Sequence, residues 1–192
     1  MKKLFVYSAV SISILIYFVL TVSVLPQNFL SNEQFVPQPY LEATLSESQI
    51  FLGDSFTLDI ISGNKGDYGD IHIVSVAFPD LTEINDVVEI AAYDFTQSPI
   101  FVSAGDDVGS EYSGGLESVV SQYPSIEAMT RPAPANIDYH LGIIVTPEKS
   151  GTFTIYVKSI DIPHTSDLSH YPESGTLDHQ NEHVLVYSVT VN

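Results

Sequence analysis

Thr152-Phe153-Thr154-Ile155-Tyr156-Val157-Lys158-Ser159-Ile160-Asp161-Ile162 is the stretch on which the fold turns. Phe153, Ile155 and Val157 fall on one face of an extended chain and point toward a core. β-branched and aromatic residues repeating at every second position mark a strand with one buried face. The pattern returns in residues 183–191, where Val184, Val186, Ser188 and Thr190 oppose Leu185, Tyr187, Val189 and Val191. Upstream, Leu41, Ala43 and Leu45 alternate with Glu42, Thr44 and Ser46, and Phe56, Leu58 and Ile60 with Ser55, Thr57 and Asp59. Ile71, Ile73, Ser75 and Ala77 share one face, and His72, Val74, Val76 and Phe78 the other. Residues 88–93, 100–102 and 139–145 complete the set.

Turn chemistry separates these runs. Gly63-Asn64-Lys65-Gly66-Asp67-Tyr68-Gly69-Asp70 reads as a hairpin-type loop, and Pro147-Glu148-Lys149-Ser150-Gly151 as a tight reversal. Many short strands with no amphipathic crossover helices between them predict an all-β, antiparallel β-sandwich and exclude a parallel α/β sheet. Two long excursions interrupt the pattern, at about 105–136 and 163–182. Within the first, only residues 116–123 and 125–129 suit a short helix. Segments of this length inside a compact domain tend to carry function.

Residues 4–25 hold no charge and follow Met1-Lys2-Lys3. A helix of that length, at ~1.5 Å per residue, spans the ~30 Å hydrocarbon core of a bilayer. Lys2 and Lys3 keep its start on the cytoplasmic side and place the body outside. The alternative is a cleaved signal peptide, whose apolar region runs ~7–15 residues before small residues. Here the run is longer, and Thr21-Val22-Ser23 is a weak cleavage site. The expected organisation is an anchor (or signal peptide) at 1–25, a Pro/Gln/Asn-rich linker at 26–39 and the sandwich at 40–192.

Of 6 basic residues two are Lys2 and Lys3, so beyond residue 25 Lys65, Arg131, Lys149 and Lys158 stand against all 24 acidic residues. Phosphate neutralisation needs Lys and Arg, so nucleic acid is excluded as a partner. The charge suits a salty exterior, divalent cations and cationic partners. With no Cys, disulfide staples, a lipoprotein anchor and a blue-copper thiolate are all ruled out.

Two stretches carry a resemblance to a known family. Leu52-Gly53-Asp54-Ser55-Phe56-Thr57-Leu58-Asp59-Ile60, running on to Gly63-Asn64-Lys65-Gly66, resembles the second strand and N-x-G turn of immunoglobulin-like domains in exported archaeal and bacterial surface proteins, including adhesion-related repeats. Val145-Thr146-Pro147 followed by Gly151-Thr152-Phe153-Thr154-Ile155-Tyr156-Val157 resembles a late corner of those domains. The resemblance implies an immunoglobulin-like sandwich rather than an activity.

Several groupings suggest chemistry. His164, His170, His179 and His183 fall within twenty residues, among carboxylates that include Asp161, Asp167 and Asp178. Imidazole and carboxylate suit copper or zinc, so His164, His170, His179, His183, Asp167 and Asp178 are the candidate metal ligands. Asp67, Asp70, Asp106, Asp107 and Glu111 offer loop oxygens for calcium. Tyr112, Tyr123, Tyr139 and Tyr171 are candidates for a binding rim. Gly53-Asp54-Ser55 with Asp161-Ile162-Pro163-His164 resembles the blocks of GDS-type esterases, with Ser55, His164 and Asp161 in triad roles. That chemistry needs a helix after the serine, and here Phe56, Leu58 and Ile60 continue a strand. No enzyme is expected. The sequence predicts a membrane-anchored extracytoplasmic protein, single-pass in the cell membrane, with a non-catalytic interaction, envelope or accessory-subunit role and a protein partner. The alternatives are an exported binder of a divalent metal (copper, zinc or calcium) using residues 161–183, and a pilin-like filament subunit.

Overall fold

The computed structural model describes residues 12–14, 17, 36–109, 119–163, 172, 175–177 and 182–192. The chain divides into two units, Met1–Gln34 and Phe35–Asn192. In the first unit, residues 12–14 and Tyr17 are described, and they are helical. The rest of the expected anchor lies outside the described residues, and among those described no helix is long and apolar enough to cross a membrane.

The second unit is all-β. Its strands are β1 (Pro39–Leu45), β2 (Gln49–Ile50), β3 (Phe56–Asn64), β4 (Ile71–Ala77), β5 (Val88–Tyr93), β6 (Ile100–Val102), β7 (Asp107–Gly109), β8 (Val119–Val120), β9 (Ser125–Thr130), β10 (Asp138–Val145), β11 (Gly151–Ile162), β12 (Thr176–Leu177) and β13 (His183–Val191). One sheet runs β1-β3-β10-β5 and the other β12-β13-β11-β4-β9-β6, while β7 and β8 form a separate ribbon. The pairings are antiparallel except that of β2, which lies parallel to the end of β13, Ile50 opposite Val191.

The period-two pattern sets the layers. Phe56, Leu58 and Ile60 of β3 and Leu141, Ile143 and Val145 of β10 meet side chains from β4, β9, β11 and β13 in one core. Leu58, Ile60, Val74, Val76, Ile126, Leu141, Ile143, Ile155 and Val157 are wholly enclosed. Full burial of each such side chain stabilises the fold by about 1.5–3 kcal/mol. The alternate residues of β4 and β11 form a second cluster, Ile71, Ile73, Ile160 and Ile162, with Met129 against it. The larger sheet is therefore buried on both faces along these strands.

Residues 125–129 are a strand, not the short helix their composition suggests. Ser125–Thr130 pairs with β4 on one side and β6 on the other. Glu, Ala and Met favour helix locally, but Ile126 and Ala128 enter the core on one face while Ser75 and Ser125 bind the Glu127 carboxylate at 2.9 and 2.6 Å on the other. Tertiary burial overrides propensity here.

The chain enters the sandwich along a fixed path. Asn64 Oδ1 accepts from the amides of Gln38 (2.8 Å) and Gly66 (2.9 Å), and Asp67 Oδ2 accepts from Val36 N at 3.1 Å. Gly66 is required by close approach, since a Cβ there would strike the Val36 carbonyl. Beside this entry the Tyr40 hydroxyl donates to Asp138 Oδ1. Burial, then the hydrogen bond to Asp138, then the charges of Asp138 and Glu42 push that hydroxyl above the usual phenol range. The outer edge of β1 is closed by the Tyr187 hydroxyl, which donates to Ala43 O at 2.7 Å and is itself shifted upward by burial.

Two outcomes are expected. Ile126→Ala should cost about 2–5 kcal/mol in urea unfolding, while Ile100→Ala, at an exposed edge position, should stay within about 0.5 kcal/mol. Equal effects would mean that 125–130 is not a core strand. Folded Tyr40 keeps its proton after unfolded Tyr40 loses it near pH ~10, so stability falls as pH rises above that value. The fall should be shallower in Tyr40→Phe, read by chemical denaturation at stepped pH.

Candidate functional site

The most chemically organised place among the described residues is a polar layer at the chain-entry end of the core. Three neighbouring strands of the larger sheet place Asp161, His72 and Thr130 side by side in register, all on the inward face. Ser159 lies one inward position along β11, and Ser62 enters from β3 of the facing sheet. Ser62, His72, Thr130, Ser159 and Asp161 each have 0% exposure. Strand periodicity explains the placement: His72 shares parity with Val74 and Val76, and Asp161 with Ile155 and Val157.

The connectivity is that of a Ser-His-Asp line. His72 Nδ1 lies 2.9 Å from Asp161 Oδ2, and His72 Nε2 lies 2.9 Å from Ser62 Oγ. Proton accounting runs against nucleophile activation. Ser62 Oγ donates its one proton to the Tyr40 carbonyl at 2.8 Å, so it accepts from both His72 Nε2 and Ser159 Oγ, the latter at 2.9 Å. His72 therefore carries hydrogen on Nε2, whereas a serine nucleophile must give its proton to that nitrogen.

The layer is sealed. The His72 ring stacks on Tyr139 (centroids 5.7 Å apart) and Phe95 (6.4 Å). Above Asp161, Gly69 and Ala133 exchange two backbone hydrogen bonds of 3.0 Å. A Cβ on Gly69 would sit 2.5 Å from Asp161 Oδ1, so only glycine admits the carboxylate there. The arrangement joins the two sheets through His72 and Ser62 and has no opening for a substrate among the described residues.

His164, His170, His179, Asp167 and Asp178 lie outside the described residues. His183 opens β13 opposite Leu177, and among the described residues its enclosed Nδ1 has no hydrogen-bond partner. No group of three or more metal-binding side chains occurs among the described residues. The calcium set is divided. Asp67 and Asp70 flank the His72 end of β4, whereas Asp106 and Asp107 follow Val102, which pairs with Ser125 at the far end. Glu111 lies outside the described residues. Asp107 Oδ1 accepts from Gly109 N at 2.7 Å, a turn-locking role. Of the aromatic rim, Tyr139 is core, Tyr123 packs on Tyr156 with centroids 6.2 Å apart, and Tyr112 and Tyr171 lie outside the described residues.

The esterase-like blocks do not assemble as such. Ser55 Oγ bonds Thr146 Oγ1 at 2.7 Å on the surface, at the opposite end of β3 from Ser62. Asp161 does orient a histidine, but the histidine is His72 and the serine beyond it is Ser62. Neither was singled out by motif. The available signal was parity, because a histidine between Ile71 and Ile73 that shares a face with Val74 and Val76 must be buried and partnered.

No protein-family model and no curated protein matches the chain. Some solved structures are weakly similar to the chain. A crystal structure of the CARDB domain of PF1109 from Pyrococcus furiosus, in complex with di-metal ions, is 12% identical with a TM-score of 0.41, covering 83% of this chain and 90% of that one. The collagen-binding domain of a Staphylococcus aureus adhesin is 11% identical, TM-score 0.39, covering 79% and 97%. AvmM, which catalyses macrocyclization in alchivemycin A biosynthesis, is 12% identical, TM-score 0.42, covering 83% and 93%. At such scores these likenesses carry no functional argument.

Asp161→Ala should destabilise the fold by about 3–5 kcal/mol, because it strands a buried partner. Gly69→Ala should also destabilise, and its cost should shrink clearly when made in the Asp161→Ala background, since the carboxylate it strikes is gone. Simple additivity in urea unfolding would mean that the two do not touch.

Proposed function

We propose that this chain is a membrane-tethered, extracytoplasmic sandwich of the immunoglobulin-like kind, with a non-catalytic role in contact with a protein of the envelope. The enclosed Ser62–His72–Asp161 layer carries the reading. The arrangement with catalytic connectivity is spent on joining the sheets, and its serine proton is committed to the Tyr40 carbonyl. What the body offers outward is exposed apolar side chains at loops and sheet edges, among them Phe51, Leu52, Tyr93 and Ile100. Export is supported by the uncharged run of residues 4–25 ahead of a chain that carries 24 acidic residues and four basic ones. Adhesion-repeat character belongs to the same reading and rests on the two sequence stretches described above.

A second reading, an exported metal binder, has one observation in its favour. The His183 Nδ1 atom is enclosed without a hydrogen-bond partner among the described residues, and it stands at the end of the histidine-rich excursion. Copper or zinc would then be held by His183 with ligands from His164, His170, His179, Asp167 and Asp178.

For the first reading, protease added to intact cells should digest a C-terminally tagged body. A protected, cytosolic body would refute it. Ester turnover that disappears in Ser62→Ala or Ser55→Ala would refute the non-catalytic part. For the second, metal content of the purified chain should drop on His183→Ala, and unchanged stoichiometry would end it.

A further inference from the structure

An apolar knob is built into a closed turn at the end of the sandwich away from the His72 layer. Ile50 ends β2 inside the core and Phe56 opens β3 inside it. Between them the chain reverses through Phe51-Leu52-Gly53-Asp54. Asp54 N donates to Phe51 O at 3.0 Å, and Phe51 N donates to Asp54 Oδ2 at 3.2 Å, so backbone and side chain close the same turn. Gly53 supplies the left-handed residue, at φ 94°. Leu52 N donates to Asn192 O at 3.1 Å, which ties the turn to the end of β13, and the Ser55 hydroxyl ties it to Thr146. On this frame Phe51 is 70% exposed and Leu52 53%, and neither packs on the core. Apolar side chains already held in one geometry lose little further freedom on binding, which is what an interface anchor requires.

The loops around the knob share one sign of charge. The starts of β3, β5 and β11 and the ends of β1, β4 and β10 lie at this end. In the connections 46–55, 78–87 and 146–150, Glu47, Asp54, Asp80, Glu83, Asp86 and Glu148 are exposed, against the single base Lys149. Asp80 Oδ2 accepts Thr154 N at 2.7 Å, so its carboxylate, like that of Asp54, is held in place. Val87 O accepts Thr146 N at 2.8 Å, and Thr146 bonds Ser55, so all three connections join in one surface.

We infer that Phe51 and Leu52 insert into an apolar pocket of a protein partner, with Lys or Arg side chains on its rim facing the acidic loops. The inference rests on the reading of the chain as a non-catalytic body in contact with another protein, and names the surface and the partner's chemistry. Opposite charge on the rim steers the encounter and fixes its orientation, whereas the same end of a second copy brings like charge.

The chain has no Cys, so one introduced thiol carries one photo-crosslinker. Full-length Leu52→Cys and Ile61→Cys, the latter 43% exposed on the outer face of β3, are labelled with benzophenone maleimide and irradiated on membranes from cells that make the chain. The label at 52 should give an adduct with a different protein in roughly tenfold greater yield than the label at 61, and Phe51→Asp in the Leu52→Cys chain should remove most of it. Phe51→Ala replaces Phe51→Asp should the aspartate shift the urea midpoint. The yield should fall between ~50 and ~500 mM salt, and the joined partner peptide should carry Lys or Arg beside apolar residues. Equal adducts at 52 and 61, an adduct at 61 alone, one indifferent to Phe51, or a partner peptide without basic residues overturns the knob and leaves protein contact standing. An adduct between two copies of the chain overturns the distinct partner. No protein adduct at either position overturns both the knob and the protein-contact reading.

Discussion

The structure depends on a polar contact in a strand whose hydrophobicity alone cannot place it. β4 is apolar on both faces: Val74 and Val76 enter the main core, and Ile71 and Ile73 the second cluster. A one-residue slip would exchange these faces at little hydrophobic cost, and slippage of this kind is what a two-sided apolar strand invites. His72 removes the degeneracy. It satisfies both ring nitrogens only when it faces Ser62 across the sandwich and Asp161 along the sheet. In any other register it becomes a buried imidazole without partners, beside an uncompensated carboxylate.

The same logic explains why the layer sits near the end of the core rather than at its centre. Ser62 must reach the Tyr40 carbonyl, and Asp161 must lie beneath a glycine at position 69. Both conditions arise where β3 and β4 are joined by the loop through Asn64 and Gly69. At the far end the ties include backbone bonds, Leu52 N to Asn192 O at 3.1 Å and Asn192 N to Ile50 O at 3.0 Å, and the surface pair of Ser55 and Thr146 hydroxyls.

Strands with one apolar face were legible from sequence. β3, β10, β11 and β13 follow period-two alternation, and Phe153, Ile155 and Val157 do lie on one face. β9 was not legible, because Ser-Ile-Glu-Ala-Met-Thr carries helix formers and hides its outward carboxylate behind Ser75 and Ser125. The register partners were invisible for a different reason. Asp161 and His72 are 89 residues apart, and a contact of that separation leaves no local mark. Motif spacing instead drew attention to Asp161 with His164, where three residues of proximity suggested a pairing that β11 does not make with any described histidine but His72.

Asn64 shows how far the entry path is as determined as the core. It is 1% exposed. Its Oδ1 accepts two amides, its Nδ2 donates to Asp67 O, and its carbonyl takes Asn136 N. Aspartate would lose the donor and turn a buried charge toward the Asp67 carbonyl, and leucine would orphan two amides at once. The segment ahead of β1 is consequently not a free linker once it reaches Val36. The path of residues 36–38 is set by Asn64 at the end of β3 and by Asp67 in the loop that follows, so the approach to β1 is fixed at the same turn that joins β3 to β4.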